Sequence, residues 1–538
     1  MPQPRALPGT YIAEVPSASV RDIAGVATSV TAFLGRAPRG PLDEPVLCGG
    51  PGDVLREFGL PHADFPMGES VSDFFTNGGS QALVVRLDGG TDEGKALPAY
   101  IDLPGAGFRL AAASAGRWGN ALRARIERPF EGLSDGPARE AAERLEVGIA
   151  DLFDLIVFDP ENGRLESFRN LTARDSPRAI GPVLEAESRL VRHAGGAAAA
   201  PASSGAAGAD GDIWSKAADN NASVGVGDGQ GRDGPATLDA GFFDLADGRD
   251  ARTGLYALER ADIFNLLCIP EAADAETGET LARAAAYCLE RRAVLLVDPP
   301  AGWSGPLQAA AGVEALSEAI GAARCNAAVF FPRLLKPDPK VAGATAARPP
   351  CGAVAGVIAR TDAERGVWAA PAGLHAAIHG TLGLSQPPTD PERGKLNPLG
   401  VNCLLSRPPA GPVIWSARTL AGADALASEW KYLPVRRLAL FLEESLRRGT
   451  RWAVFEPNDD RLWAQIRLDI GAFMQGLFRR GAFQGRTPRE AFFVRCDRAT
   501  NSQDDIDRGI VNIHVGFAPL RPAEFMLIHI RQVAVRTT

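Results

Sequence analysis

KYLPVRRLALFLEESLRRGTRWAVFEPNDDRLW, residues 431–463, and REAFFVRCDRATNSQDDIDRGIVNIHVGFAPLRPAEFMLIHIR, residues 489–531, carry the clearest local folding pattern in this chain. Leu438, Phe441, Leu442, Ser445 and Leu446 recur at helical spacing on one face. Glu443 and Glu444 precede Arg447 and Arg448 by four residues, the favourable order for ion pairs along a helix. Gly449 stops that helix. Residues 451–455 then predict a short strand. Asn458 predicts the N-cap of a second helix, with Asp459 and Asp460 suited to the positive end of its dipole. The apolar stripe of that helix is Trp463, Ile466, Ile470, Phe473, Met474 and Leu477, closed by Gly481. Alternation next marks two strands, one with Phe493 and Arg495, the other with Val511, Ile513, Val515 and Phe517. Nothing in the stretch is arranged to catalyse a reaction.

Working outward, 538 residues are enough for roughly two to four domains with cores of their own. A hydrophobic content of 45% and a charged content of 23% are ordinary for a globular chain. A net charge of −8 and a pI near 5.5 argue against nucleic acid as the main partner. Lysine occurs only at Lys95, Lys216, Lys336, Lys340, Lys395 and Lys431, so arginine dominates and favours planar, multidentate ion pairs. Cys48, Cys268, Cys288, Cys325, Cys351, Cys403 and Cys496 form no CxxC pair, which predicts reduced thiols in a cytoplasmic product. No secretion signal opens the chain, and no apolar run is long enough to span a bilayer. We therefore expect no membrane insertion by this chain, and release by lysis or another route.

The chain divides by composition. Residues 1–24 read as an arm: Pro2, Pro4, Pro8 and Gly9 precede a short strand candidate that ends at Pro16. Residues 25–87 read as α/β, with strands at 29–35 and 82–87 and helices at 52–58 and 70–77. Residues 88–245 read as β-rich, with strands at 108–112, 121–127, 145–149 and 154–159 and a helix at 183–192. Within them, 193–240 includes GGAAAAPASSGAAGADGD, whose composition predicts an exposed, mobile loop. Residues 246–420 alternate apolar strands with helices, which predicts a mostly parallel sheet. Residues 421–518 form the C-terminal domain quoted above, and 519–538 end in a further strand.

Motifs for chemistry fail on inspection. Gly89, Gly94 and Lys95 have phosphate-loop spacing, but Ala96 replaces the magnesium-binding hydroxyl and Pro98 interrupts the helix that should follow. His375 and His379 lie four apart, yet Ala376 stands where a zinc hydrolase needs glutamate. Asp228 and Asp233 lack the spacing of a calcium loop. His62 and His193 have no catalytic neighbours in sequence. We expect no cofactor, no metal and no catalytic residue.

Longer blocks carry a resemblance. RRLALFLEESLRRGTRWAVFEPND, FFVRCDRATNSQDDIDRGIVNIHVGFAPLRPAEF and the N-terminal PGTYIAEVPSASVRDIAGVATSVTAFLGRAPRGP resemble the contractile tail sheath family of phages and bacterial contractile injection systems. FFTNGGSQALVVRL, SAGRWGNALRARI, LYALERADIFNLLCIP, VAGVIARTDAERGVWAAPAG and LNPLGVNCLL extend it, collinearly, over most of the chain; it is weakest from His193 to Asp250. The resemblance implies an α/β and α+β multidomain protein. A subtilisin-like α/β core (246–420) would carry an outer insertion domain (88–245) and extended terminal strand arms. Residues 25–87 would pack with the inner C-terminal domain.

It also implies a structural subunit. Hexameric rings would stack helically around an inner tube protein, capped by baseplate and terminal proteins, and contract to drive the tube through a target envelope. Assembly would take place in the bacterial cytoplasm, and the product would be a phage tail or an injection particle. Arm strands exchanged between subunits would be Tyr11, Ile12, Ala13, Glu14 and Val15 at one end. At the other they would be Phe525, Met526, Leu527, Ile528, His529, Ile530 and Arg531. Hinges would lie at Pro16, Pro519 and Pro522. Arg436, Arg437, Arg447, Arg448 and Arg451 cluster around one helix, where a solvated face with ion pairs to Glu443 and Glu444 is the simpler reading; the tube-facing residues would be Glu443, Glu444, Arg447, Arg448 and Arg451. Two rival functions follow from the same features. One is a subtilisin-like hydrolase, although no GxSxG elbow or Gly-Thr-Ser segment is present. The other is a surface- or glycan-binding decoration formed by residues 88–245.

Overall fold

Strands buried along their whole length require cover on both faces, and five segments of this chain are of that kind. The computed structural model describes residues 22–88, 94–103, 108–132, 136–196, 199–204, 213–214, 222–223, 230–236, 238, 248–273 and 278–522. They fall into two compact units, one of residues 28–365 and 369–436, the other of residues 22–27, 366–368 and 437 onward.

The larger unit is built on an eight-stranded sheet. Its strands are β1 (Thr31–Gly35), β2 (Pro45–Cys48), β3 (Ala82–Arg86), β4 (Leu266–Cys268), β5 (Val294–Val297), β6 (Ala327–Phe331), β7 (Asn402–Arg407) and β8 (Gly411–Ile414). They lie in the order β8-β7-β6-β5-β4-β1-β3-β2. Pairs from β3 through β1, β4, β5 and β6 to β7 are parallel, and β2 and β8 close the ends antiparallel. β1, β3, β4, β5 and β6 are buried along their whole length. Each edge strand carries a proline, Pro45 or Pro412, which blunts further pairing. The β8 edge is also covered by residues 373–378, with Ile378 N donating to Pro412 O at 2.8 Å.

Helices α1 (Pro66–Thr76) and α2 (Cys351–Arg365) cross at close range in this unit. Two glycines permit the approach. A Cβ on Gly352 would stand 2.0 Å from Ser70 O, and one on Gly356 would stand 2.4 Å from Phe74 O. A buried charge network pins α1 to a small antiparallel sheet. Lys336 bonds to Asp73 and lies 3.5 Å from Glu69, while Arg348 lies 3.2 Å from Glu69.

Residues 97–238 add two antiparallel sheets to the larger unit. One comprises Ala222–Ser223, Arg123–Glu127, Phe153–Asp159 and Arg164–Leu171; the other comprises Tyr100–Asp102, Arg109–Ala112 and Val191–His193. Residues 145–149, expected as a strand, instead end the helix Pro137–Leu145 and turn into Ile149–Asp151. Arg139–Glu143 pairing at helical spacing favours that outcome. The helix expected at 183–192 runs Ile180–Glu187, and Val191–His193 is a strand. Two described points of the tract expected as a mobile loop are hydrogen-bonded to residues 120–126; most of the tract lies outside the described residues. Ser204 and Ile126 exchange backbone and side-chain hydrogen bonds, and Gly231 and Asn120 do likewise. Backbone donors that composition does not reveal hold it there.

Residues 28–87 contribute β1, β2 and β3 to the same sheet as β4–β8, because their apolar runs need two-sided cover.

The smaller unit contains most of α3 (Leu433–Gly449), α4 (Asp460–Arg479) and the paired strands β9 (Phe492–Arg495) and β10 (His514–Phe517). The boundary between the two compact units falls at Arg437. The expected stripe forms the core: Leu438, Leu442, Trp463, Ile466, Ile470, Met474 and Leu477 are buried together. Ile23 joins them, and a Cβ on Gly449 would stand 2.6 Å from its Cγ2 atom. Residues 451–455 form a single 3₁₀ turn, Arg451–Ala453, and a loop, not a strand. Asp459 rather than Asn458 caps α4, accepting from Arg461 N at 3.0 Å and Leu462 N at 2.9 Å. Asn458 is engaged elsewhere: it accepts from Trp463 Nε1 at 2.8 Å and donates to Ile510 O at 3.0 Å.

Candidate functional site

The C-terminal end of α3 gathers charge because its two faces differ. Leu438, Leu442 and Ser445 point into the core of the smaller unit, while Glu443 and Arg447 are exposed one turn apart. Glu444 is buried between them and holds two arginines. Arg447 Nε donates to its Oε2 at 2.8 Å, and Arg448 Nε donates to its Oε1 at 2.6 Å. Burial alone would raise the Glu444 carboxyl; the two guanidinium groups override it and hold it at about 2. Both cations also sit at the negative end of the helix dipole. Arg451 follows, exposed. The structure therefore brings Glu443, Arg447, Arg448 and Arg451 to one helix end, with Glu444 as the clamp behind them.

Arg436 and Arg437 do not share that face. Both are buried, so the solvated-face reading fails for them. In the larger unit Arg436 Nε donates to Asn326 Oδ1 at 3.0 Å, and its guanidinium lies 4.7 Å from the Trp430 ring centre. Sequence spacing shows that these arginines share a helix, but not which neighbours cover them.

The second feature of the smaller unit is its sheet. β9 and β10 pair only with each other among the described residues. Chain segments near both termini lead into this unit. Val26 N donates to Ser445 Oγ at 3.2 Å, and a Cβ on Gly25 would stand 2.9 Å from Phe441 Cζ. At the other end Ala518 N donates to Ala491 O at 2.8 Å, and Pro519 bridges to Phe483. Sequence reasoning missed Ile23, Gly25 and Val26, since no periodicity links them to residues four hundred positions away. Tyr11, Ile12, Ala13, Glu14, Val15, Pro16, Phe525, Met526, Leu527, Ile528, His529, Ile530 and Arg531 lie outside the described residues; Pro522 is the last residue within them.

Enzyme-like positions were also located. In an open α/β sheet, ligands bind beyond the carboxyl ends of the strands near a switch in strand order, here between β1 and β4. Cys268, Asp298 and Cys351 lie at that end of the sheet, buried, with Cys351 N donating to Asp298 Oδ1 at 2.8 Å. Burial pushes both thiols up, so neither supplies a thiolate. His375 and His379 are not on a helix. His375 contacts Arg365, and His379 N donates to Asn77 Oδ1 at 2.8 Å. Gly94 and Lys95 begin a polar turn in which Ala96 N donates to Asp88 Oδ1 at 2.8 Å, while Gly89 falls outside the described residues. Asp233 accepts from Arg117 N at 2.9 Å. Among the described residues no group of three His, Cys, Asp or Glu side chains could hold a metal ion, and no helix is long and apolar enough to cross a membrane.

Comparison with known proteins then decides the family. Residues 246–420 match the phage tail sheath protein central domain, and residues 427–532 match the phage tail sheath C-terminal domain. Together they account for just over half of the chain. This chain belongs to the phage tail sheath family. The tail sheath protein of Vibrio phage KVP40 is 25% identical over 182 residues, 34% of this chain and 26% of that relative. The chain thus spans about a quarter of that relative's length. A sheath chain from the contracted state of an extracellular contractile injection system, PVC, superimposes with a TM-score of 0.54 at 20% identity. That match covers 98% of each chain. The sheath tail protein Lin1278 from Listeria innocua gives a TM-score of 0.59 at 13% identity, covering 93% of this chain and 97% of its own. These likenesses establish a mixed α/β multidomain sheath fold.

Proposed function

We propose that this chain is the structural subunit of a contractile tail sheath, polymerising as stacked hexameric rings around an inner tube. The single observation that carries the reading is the two-stranded β9–β10 sheet, in the unit into which both described chain ends lead. A two-stranded ribbon is marginal alone, and its free edges offer backbone donors and acceptors to an added strand. The arms 11–15 and 525–531 of neighbouring subunits supply those strands by β-augmentation. A contact of this kind, repeated without closing, generates a helical array. Ile23 is anchored in the core, so the N-terminal hinge lies before it, around Pro16. Pro519 and Pro522 serve the other arm.

Contraction in this reading is a rigid-body change between two packings of unchanged units. A gain on the order of a few kcal/mol per subunit, multiplied along the helix, drives the tube without catalysis by this chain. The core keeps a subtilisin-like layout, which the parallel β1–β4–β5–β6 order supports, and residues 88–245 form its outer insertion. Glu443, Arg447 and Arg451 face carboxylates and cations of the tube. Baseplate and terminal cap proteins bind the ends, and assembly precedes release from the bacterial cytoplasm.

Deleting residues 1–20 tests the arm model. The truncated chain is expected to remain a folded monomer, with an unchanged melting temperature, and to form no tubes in negative-stain images. Long sheaths from the truncated chain would refute it.

A further inference from the structure

The dipeptide Asn-Gly occurs at Asn77-Gly78 and at Asn162-Gly163, and the fold treats the two differently. An asparagine amide in this pair is open to attack by its own backbone, because glycine carries no side chain to shield the next nitrogen. Asn77 follows α1 and is fully buried. Its Nδ2 donates to Asp73 O at 2.9 Å and to His379 O at 3.1 Å, and its Oδ1 accepts from His379 N at 2.8 Å. Gly78 N donates to Phe75 O at 3.2 Å. Amide and nitrogen are both engaged there. Asn162 and Gly163 instead lie exposed at the tip of the hairpin joining Phe153–Asp159 to Arg164–Leu171. Gly163 has φ +64°, and a Cβ on it would meet nothing within 4 Å. Its N–H has no hydrogen-bond acceptor among the described residues.

This exposed turn touches a buried tie. Asn162 Nδ2 donates to Asp159 Oδ2 at 2.8 Å, and the same oxygen accepts from Arg39 Nη1 at 3.1 Å. Asp159 and Arg39 are both buried. Arg39 stands in the loop after β1, and its Nη2 donates to Leu55 O at 2.9 Å, in the helix Pro51–Phe58. One carboxylate oxygen thus joins the antiparallel sheet to the loop and helix beside the eight-stranded sheet.

We propose that Asn162 is a site of spontaneous deamidation, and that the acid formed there weakens the hold of Asp159 on Arg39. Gly163 N attacks Asn162 Cγ, and a C–N bond forms as the bond to Nδ2 breaks. The Gly163 N–H proton leaves with that nitrogen as ammonia, and a cyclic imide remains. Water then opens either imide carbonyl, giving aspartate or isoaspartate at position 162. Nothing is oxidised or reduced, and water is the only co-reactant. The new carboxylate no longer donates to Asp159. It places a like charge beside a buried carboxylate whose other oxygen accepts from Glu161 N at 3.1 Å. Asp159 thereby loses one of its two side-chain donors, and a buried acceptor that loses a partner is destabilised. Isoaspartate also lengthens the backbone of the turn, against the register Asp159–Arg164.

The test ages the full-length chain in warm, mildly alkaline buffer, with wild type, Asn162→Gln and Asn162→Asp in parallel and a urea-unfolded wild-type sample beside them. Peptide mass mapping is expected to find the amide-to-acid mass gain at Asn162 in the folded protein before any at Asn77. The unfolded sample is expected to convert at both. Isoaspartyl methyltransferase should label the Asn162 peptide of aged wild type and not that of Asn162→Gln, whose longer side chain closes the imide poorly. Fresh Asn162→Asp carries the product without ageing. Its amide exchange is expected to be several-fold faster in Phe153–Asp159 and Pro51–Phe58, with exchange in α4 as in wild type. Conversion at Asn77 first, or none at Asn162 in the folded protein while the unfolded sample converts, would overturn the site. Wild-type exchange throughout Asn162→Asp would overturn the weakened hold on Arg39.

Discussion

The two units handle their open ends in opposite ways. The larger closes its eight-stranded sheet with antiparallel edge strands, each bearing a proline, and covers the β8 edge with residues 373–378. The smaller leaves β9 and β10 as an isolated pair among the described residues and holds Phe455 in water. The contrast separates a closed sheet from the strand pair to which the proposed arms would add. A finished core resists strand addition, whereas an unfinished ribbon invites it. Buried charge differs as well. In the larger unit burial dominates at Asp73 and pushes its carboxyl up to about 6, despite Lys336. In the smaller unit two arginines outweigh burial and hold Glu444 at about 2.

The sharpest way to break the comparison is Gly356→Val. Its Cβ would meet the Phe74 carbonyl, which cannot yield without moving α1, so a loss of about 3 kcal/mol or more is expected. Hydrogen exchange should report lost protection in α1 and α2 with α4 protection retained. Equal loss in α4 would show that the units do not stand apart.

Acid titration is a finer probe, because the two carboxyls act with opposite sign. The folded Asp73 value lies above its ordinary 3.8, so its contribution favours folding below that value and fades as pH rises through about 6. The span corresponds to about 3 kcal/mol. Asp73→Asn should remove this slope between pH 4 and 7, though it lowers stability overall by leaving Lys336 without its closest carboxylate. The folded Glu444 value lies below its ordinary 4.5, so its contribution is complete above 4.5 and is lost as pH falls through about 2. Glu444→Gln should flatten the acid limb in α3 peptides while leaving α1 peptides as in wild type. A slope of the same sign at both sites would contradict the contrast.

The smallest effect expected is at the helix cap. Asp459→Ala should cost about 1 kcal/mol, read as a lower melting temperature and faster exchange in the first turn of α4, whereas Asn458→Asp should leave that turn capped. Equal fraying in both variants would return the cap to Asn458.

Much of the fold was legible in the residues. The stripes Leu438–Leu442 and Trp463–Leu477 and the alternation about Val515 name their elements because helix and strand periods are set by backbone geometry. The apolar runs that became β4, β5 and β6 announce a parallel sheet for the same reason. Local chemistry misled at 451–455 and Asn458, where a cap one residue later and a tryptophan partner set the outcome. The candidate site was half legible. Spacing placed Glu443, Glu444, Arg447 and Arg448 on one turn, but not that Glu444 lies inside or that Arg436 and Arg437 are covered.

Sequence alone determined most of the elements, their amphipathic faces and, through collinear blocks, the sheath resemblance, because these depend on neighbours within a few residues or on long matched order. Only the tertiary structure decided that β1–β3 join β4–β8, that Ile23 belongs to the C-terminal core, and which charges are buried. It also showed that Phe455 stands exposed. Those outcomes depend on contacts between distant segments, and no local period encodes them.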